Sequence, residues 1–438
     1  VKKEDGMKRK KLLIYAHYYI PDVASTGQIL RELAEGMLHT FDITVICVVP
    51  SYGGVIEEKY KSKKFYREEI NGVNVLRIRV PEFKKSDKLS RIRNILSYFF
   101  GAMLATFMVG KMDYVYSISQ PPILGGLIGI WGKWIKRAKY VYNIQDFNPE
   151  QTIAVGYSRN KLILSAMMFF DKFSCRQADK VIVVGRDMVE TLKKRFDGKK
   201  VPDHTFINNW IDEKEVYPLP KDNAKVAAFR KKYGLENKFV IMYSGNIGLY
   251  YDLERLIKVL KKFRKGVTQD GKLEEGIRTA DGREVVFAFV GGGSMLDILK
   301  DYQKRHHIEN IMFIPYQDKE ELIYSLNAAD IHWCVNARGI RGVSVPSKCY
   351  GIMAVGKPIL GVLERGSEAR MIIEETGCGL CCEPGDYEHV ARHIQWFADH
   401  AGTGKVVEMG QKGREYLVGH LTKDISVGKY TEEILGIE

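Results

Sequence analysis

"FVIMYSGNIGLYYDLERLIKVLKKF", residues 239–263, sets the fold. Five apolar residues run without interruption into Ser244-Gly245-Asn246-Ile247-Gly248, and the helical stretch LERLIKVLKKF (253–263) follows. A continuous apolar strand, a glycine turn and a helix make the unit from which parallel sheets covered on both faces are built. Downstream the pattern repeats: strand EVVFAFVGGG (284–293), helix MLDILKDYQKRH (295–306), strand IMFIPY (311–316), helix ELIYSLNAA (321–329), strand DIHWCVN (330–336). Upstream, KLLIYAHYY (11–19) precedes helix TGQILRELAEGM (26–37). Strand-like runs then recur at DITVICVVP (42–50), VNVLRIRV (73–80), YVYSISQ (114–120), YVYNIQD (140–146) and KVIVVG (180–185).

Between the two series lies NNWIDEKEVYPLPKDN (208–223), a polar, proline-bearing connector, with the boundary near Asp212. The reading is therefore α/β: two Rossmann-like, doubly wound domains in tandem, facing a cleft at the carboxyl ends of their strands, where such folds bind ligands. A length of 438 residues agrees, being too long for one ordinary core. GVTQDGKLEEGIRTADGRE (266–284) exceeds a usual connection and reads as a surface insertion.

Hydrophobic residues at 45% and charged residues at 28% describe a folded chain and exclude disordered and fibrous classes. Seven irregularly spaced cysteines give no disulfide framework and suit a reducing compartment. Cys378, Cys381 and Cys382 lack a second Cys/His pair for zinc and read as small buried hydrophobes. The opening VKKEDGMKRKK is a charged tail without a signal peptide's apolar core, with Met7 read as a native start. Spanning a bilayer takes about 20 apolar residues. The charge-free run Asn94–Gly110 is shorter, and Tyr114–Gly132 is broken by Pro121-Pro122 and glycines. The net charge of +13 is one-sided: residues 1–210 hold 35 Lys+Arg against 21 Asp+Glu, the remainder 32 against 33. One domain is thus expected to meet an anionic partner.

YIPDVASTGQILRELA (19–34), IQDFNPE (144–150), INNWID (207–212), YSGNIG (243–248), FVGGGSM (289–295) and VPSKCYGIMAVGKPIL (345–360) resemble, in this order, family 4 of the retaining glycosyltransferases, of GT-B fold. The likeness runs from Lys11 to about Ile434 and points to the bacterial branch that builds O-antigen, capsule and exopolysaccharide, with its fucosamine and colanic-acid transferases. It implies a tail at 1–10, an acceptor and membrane domain at 11–212, a nucleotide-sugar domain at 213–420, and a helix at 421–438 crossing back to the first domain. It also implies transfer with retention from a nucleotide-sugar, taken as UDP-linked, and no essential metal or other cofactor. The sequence holds no Asp-x-Asp.

Two departures matter. The family's Glu-x7-Glu would fall on Val343 and Gly351, so both carboxylates are missing. The Arg and Lys that often hold the donor diphosphate, five residues apart, fall on Asn246 and Tyr251. Lys348 at a predicted helix start, with Ser344, Ser347 and Arg341 (and Arg338 beyond it), is the expected replacement, since a cation and free N–H groups suit a diphosphate. A Ser N-cap with a solvated Lys is the plainer alternative. Gly27, Gly245, Asn246, Gly248, Gly292, Gly293 and Ser294 complete the expected donor set, with Glu368 offered for the ribose. Asp146 and Gln145 join Lys348 as the catalytic candidates, Gln145 standing where the family often has His. His17, Thr26 and Glu150 are the acceptor candidates, although His17 could equally be a core histidine.

FKKSDKLSRIRNILSYFFGAMLATFMVGK (83–111) places Lys84, Lys85, Lys88, Arg91 and Arg93 ahead of an apolar helix. Leu89, Ile92, Leu96, Phe99, Met103 and Phe107 read as its core stripe, widened by Phe100, Leu104 and Met108. A basic flank beside a wide apolar face suits a membrane surface. With no nucleic-acid motif to claim the charge, the expected acceptor is a polyprenyl-diphosphate-linked saccharide, and the expected location is the cytoplasmic side of the bacterial membrane, peripherally bound. Two other readings stand: a nucleotide-sugar 2-epimerase of the same architecture, which would want clustered His and acids, and a non-catalytic, membrane-docked subunit, which the lost glutamates would permit.

Overall fold

The structure, a computed structural model, describes residues 9–22, 25–84, 87–197, 199–268 and 271–437. Two compact units form. The first runs to Thr152, resumes at Ser158–Asn209 and takes the chain's end from Asp424; the second is Ile153–Tyr157 with Trp210–Lys423. The division thus falls three residues before Asp212, and a short piece at 153–157 belongs to the second unit.

In the first unit, β1 (Lys10–Tyr15), β2 (Phe41–Val48), β3 (Phe65–Ile70), β4 (Val73–Ile78), β5 (Tyr114–Ile118), β6 (Lys139–Ile144), β7 (Lys180–Val183) and β8 (His204–Phe206) form one sheet in the order 3-4-2-1-5-6-7-8. Every pairing is parallel except β3 with β4. That hairpin turns on Asn71-Gly72, both at positive φ, as a two-residue turn on twisted strands requires. β3 escapes a sequence reading because FYREEI, partly exposed along its length, carries no apolar run.

The sheet is rich in buried tyrosine, and the helix Leu124–Lys136 lies on it through glycines. A Cβ on Gly129 would sit 2.3 Å from the Tyr140 ring, and one on Gly132 2.7 Å from Tyr15. Each glycine costs roughly 0.5–1 kcal/mol of helix propensity, which the close approach of helix to sheet offsets. Gly129→Ala is expected to lower stability by about 1–3 kcal/mol through overpacking, read as an earlier urea midpoint with unchanged slope. These glycines also explain the broken apolar run noted in the sequence.

The second unit answers the opening stretch. Its strands are β9 (Lys238–Ser244), β10 (Lys265–Val267), β11 (Leu273–Glu275), β12 (Glu284–Val290), β13 (Ile311–Ile314), β14 (Ile331–Val335), β15 (Ile359–Val362) and β16 (Gly379–Cys382). Six form a fully parallel sheet in the order 13-12-9-14-15-16. Along β9, Phe239, Ile241 and Tyr243 enter one core with Leu253, Leu256, Ile257 and Leu260 of the following helix. Val240 and Met242 enter another with Val226 and Phe229. Alternation between two dry faces is why the run is continuously apolar. β10 and β11 pair as a small antiparallel hairpin inside the insertion.

The helix Lys423–Leu435 closes the first unit. Val427 packs on Gly36, and Asn143 Nδ2 donates to the Tyr430 hydroxyl at 3.0 Å.

The helix Lys88–Met108 corrects one expectation. Its buried face is Asn94, Tyr98, Gly101, Ala102, Ala105 and Thr106. Leu89, Ile92, Leu96 and Phe107, read as core, are exposed, as are Phe100, Leu104 and Met108; Phe99 and Met103 are half-buried. The small residues and Tyr98 face inward because the helix lies close on the sheet, which turns the bulky stripe outward. Lys85 lies outside the described residues.

Candidate active site

In both sheets the strand order reverses at one point, between β1 and β5 and between β9 and β14. Ligands of doubly wound sheets bind beyond the carboxyl ends of the strands at such points.

In the second unit, the turn after β9 and the loop after β12 are pressed together backbone to backbone. Gly245 N–H donates to Val290 O (2.9 Å) and Ile247 N–H to Gly292 O (2.8 Å). Gly291 is indispensable: it has φ +137°, and a Cβ there would meet Gly245 O at 2.0 Å. Gly293, at φ +153°, likewise abuts Ile247 O and the Asn246 side chain. Gly245, Asn246, Gly248, Gly292 and Gly293, five of the expected donor residues, thus share one corner; Ser294 is exposed beside it.

Lys348 comes to the same corner. A Cβ on Gly245 would lie 2.7 Å from its Cε. Its Nζ stands 3.6 Å from the Tyr251 ring centroid and 5.1 Å from that of Tyr243. Tyr243 is fixed in turn by donating its hydroxyl proton to Asn246 O at 2.6 Å. Burial pushes the Lys348 ammonium down from 10.5 to about 8. An ammonium thus lies over the aromatic ring at position 251, where the resemblance would put a cation. Sequence reading noted Tyr251 only as an absence; its role as a cation–π platform, a contact of roughly 0.5–2 kcal/mol, needed the fold.

The other expected donor residues fare differently. Ser347 makes no side-chain cap, and the helix Lys348–Ala354 has seven residues, so the cationic side chain rather than a helix start marks this place. Ser344 is half-buried. Arg338 Nη2 donates to Pro384 O at 2.8 Å, and the exposed Arg341 lies against Gly366. Glu368 is 2% exposed, which withdraws it from a ribose. Gly351, where the resemblance would put the second carboxylate, faces Leu326 and Ile211, within 3.6 and 3.7 Å of a Cβ built there. A glutamate would be driven into apolar packing, so its absence fits the surroundings.

In the first unit, a pocket of about 200 Å³ opens beyond β1, β5 and β6, lined by His17, Tyr18, Arg91, Gln120, Asp146 and Asn148 among others. Thr26 donates to Gln120 Oε1 (3.0 Å), and Gln120 Nε2 to Asp146 Oδ2 (3.4 Å), so an amide unnoticed in the sequence joins two expected residues. His17 lies between Tyr18 and Tyr98, with centroids 4.2 and 4.7 Å away. Burial lowers its pKa to about 4, so the ring is neutral. Gly27 packs on the Tyr18 carbonyl.

Two expectations are corrected here. Gln145, 8% exposed, donates to Asn143 Oδ1 (2.5 Å) and accepts from Asn209 (2.7 Å), so its amide braces the core instead of meeting a sugar. Glu150 is bound through both oxygens by Arg195 (2.7 and 2.5 Å), which also pairs with the buried Asp171. That ion network is structural and removes Glu150 from the acceptor set. Among the described residues no group of three His, Cys, Asp or Glu could hold a metal ion.

Residues 225–416 match the family described as glycosyl transferases group 1. The second unit carries a group 1 glycosyltransferase domain, and the chain is a glycosyltransferase of GT-B fold. It is 27% identical over 316 residues to the probable glycosyltransferase WbjE of Pseudomonas aeruginosa, covering 72% of this chain and 73% of that protein. It is 24% identical over 402 residues to the putative colanic acid biosynthesis glycosyl transferase WcaI of Escherichia coli, covering 88% and 91%. In fold it is similar to Anabaena Alr3699/HepE, solved in complex with UDP and glucose: TM-score 0.69, 14% identity, 98% of this chain and 100% of that one.

Proposed function

We propose that this glycosyltransferase moves a sugar from a UDP-linked donor, with retention, to a saccharide carried on a polyprenyl diphosphate during bacterial surface-polysaccharide synthesis. The observation that carries it is Lys348, a buried-edge cation over Tyr251 at the corner where Gly245 and Gly291–Gly293 admit a close backbone approach. An ammonium there suits a leaving nucleoside diphosphate. In the transfer, the bond from the sugar's anomeric carbon to the β-phosphate oxygen breaks and a bond to the acceptor oxygen forms. The acceptor's proton passes to the departing phosphate, leaving the free nucleoside diphosphate. Lys348 stabilises the charge that develops on that phosphate, and Asp146 orients the acceptor. The kinship with WbjE and WcaI supports the polysaccharide setting.

Membrane docking belongs to the same reading. No described helix is long and apolar enough to cross a bilayer. The outward face of Lys88–Met108 is apolar along its length, and the helix Lys161–Gln177 adds exposed Leu162, Ile163, Phe169 and Phe170. Arg93 joins Lys61, Lys64 and Arg79, cations the sequence reading missed, around an opening of about 400 Å³. With Lys84 and Lys88 they form a basic border to the apolar face, which suits peripheral binding to an anionic leaflet.

The test is a thermal-shift screen of UDP-, GDP- and dTDP-sugars, followed by transfer to a lipid-linked acceptor with the product's anomeric configuration read by NMR. Activity is expected to persist in excess EDTA. Inversion, or a strict and reversible need for Mg²⁺ or Mn²⁺, would overturn the retaining, metal-independent assignment.

A further inference from the structure

The pocket of the first unit has a chemistry that the transfer reading does not require. Its wall offers an aromatic face (Tyr18), amides (Gln120, Asn148) and one carboxylate (Asp146), a set suited to sugar hydroxyls. It also holds one guanidinium. Arg91 is exposed and makes no side-chain hydrogen bond or ion pair among the described residues, whereas the neighbouring Arg93 faces the other opening. His17, the second basic side chain of the wall, is nine-tenths buried, and its Nε2 has no hydrogen-bond partner among the described residues. Neutral at physiological pH, it adds no charge. Among the described residues, Arg91 is therefore the pocket's one cation.

We propose that Arg91 is a specificity residue that holds a phosphoryl group next to the sugar seated in this pocket, rather than a contact to the general leaflet surface. The proposal rests on the acceptor reading above and narrows it: the acceptor's sugar lies directly beside its phosphate. Several features favour a phosphate at this rim. A guanidinium pairs with phosphate oxygens through two parallel N–H donors. The partly buried Asp146 repels an anion from its own side of the pocket, leaving the exposed Arg91 to receive it. Arg91 also sits in the first turn of the helix whose outward face is apolar, with Ile92 next to it and Leu96 little more than a turn further on, both exposed. A prenyl chain lying along that face would reach the pocket at its diphosphate. A soluble sugar phosphate would present the same oxyanion without the chain, and the probes below separate the two sources.

Binding is measured on the full chain carrying Lys348→Ala, which silences the proposed donor cation, with farnesyl diphosphate, inorganic pyrophosphate and farnesol as probes. Farnesyl diphosphate is expected to bind at least ten-fold more tightly than either of the others. Adding Arg91→Gln should abolish its advantage over farnesol, and Arg91→Lys should retain part of it. Liposome partition should scarcely change in either variant, because the other cations remain. Pyrophosphate binding as tightly as farnesyl diphosphate, with the same loss in Arg91→Gln, would overturn the lipid source while leaving a phosphate site. Farnesyl diphosphate binding no better than farnesol, or unaffected by Arg91→Gln, would overturn the proposal. These affinities are read without donor or turnover, so they stay interpretable even if Lys348 proves dispensable for transfer.

Discussion

Lys348→Ala is expected to reduce kcat/KM for the nucleotide-sugar by roughly 30- to 150-fold with the fold intact. A charge-assisted phosphate contact contributes about 2–3 kcal/mol, and each 1.36 kcal/mol is tenfold. The side chain is only half-buried, and its removal leaves Tyr251 and Tyr243 in place, so unfolding is not expected to account for the loss. A second substitution sharpens the claim. Because Nζ lies 3.6 Å above the Tyr251 ring, Tyr251→Lys in the Lys348→Ala background returns a cation to nearly the same place and should restore part of the lost rate. Lys348→Ala with near-normal kcat/KM would sink the assignment. The pH dependence has a definite sign. With the ammonium held at about 8 by burial, the free enzyme loses its cation as pH rises past that value, so KM for the donor should climb above pH 8. Stability runs the other way. The folded-state pKa lies below the ordinary 10.5, so the folded chain binds fewer protons than the unfolded one between about pH 8 and 10.5. Lys348's unfavourable contribution is therefore full below pH 8 and fades across that window.

Much of this was legible in the residues. Strands buried on both faces announce themselves as unbroken apolar runs, and the glycines at 245, 291 and 293 stand where the backbone has a positive φ that disfavours a Cβ. Motif spacing singles out Lys348 as the candidate cation. What spacing hid was its partner: residues 251 and 348 are far apart in sequence and meet only because β9 and β14 are neighbours in the sheet. Gln145 and Glu150 failed for a related reason. Each sits at a strand end or helix start that usually serves function, but Asn143, Asn209 and Arg195 claim their polar atoms, and those partners are set by tertiary packing. The helix Lys88–Met108 misled by periodicity. Its spaced large residues predict an amphipathic face correctly, yet say nothing about which side is in. Gly101, Ala102 and Ala105 are the better signal, since a helix resting close on a tyrosine-rich sheet buries its smallest residues.

That inversion raises the stakes for the membrane. Phe100, Leu104 and Phe107 are 59%, 58% and 60% exposed, so replacing all three with serine removes apolar surface from the outside and should leave the folded core unchanged. Full burial of such side chains contributes about 1.5–3 kcal/mol each. Allowing roughly half of that for shallow insertion, the triple variant should partition onto anionic vesicles roughly 50- to 2,000-fold more weakly. Charge should behave differently. Changing Lys84, Lys88 and Arg93 to Gln, with Arg91 left in place, removes about 1 kcal/mol per cation near an anionic leaflet. This loss should vanish at high salt, where the Debye length shrinks from about 8 Å toward 3 Å. The serine variant should instead lose binding at every salt concentration and on neutral vesicles as well. Turnover of a long-chain lipid acceptor should fall with vesicle binding in both variants, while donor affinity, which belongs to the other unit, stays constant. Three serines with undiminished partition would show that this apolar face meets something other than a bilayer. The lipid-linked acceptor would then lose its strongest support.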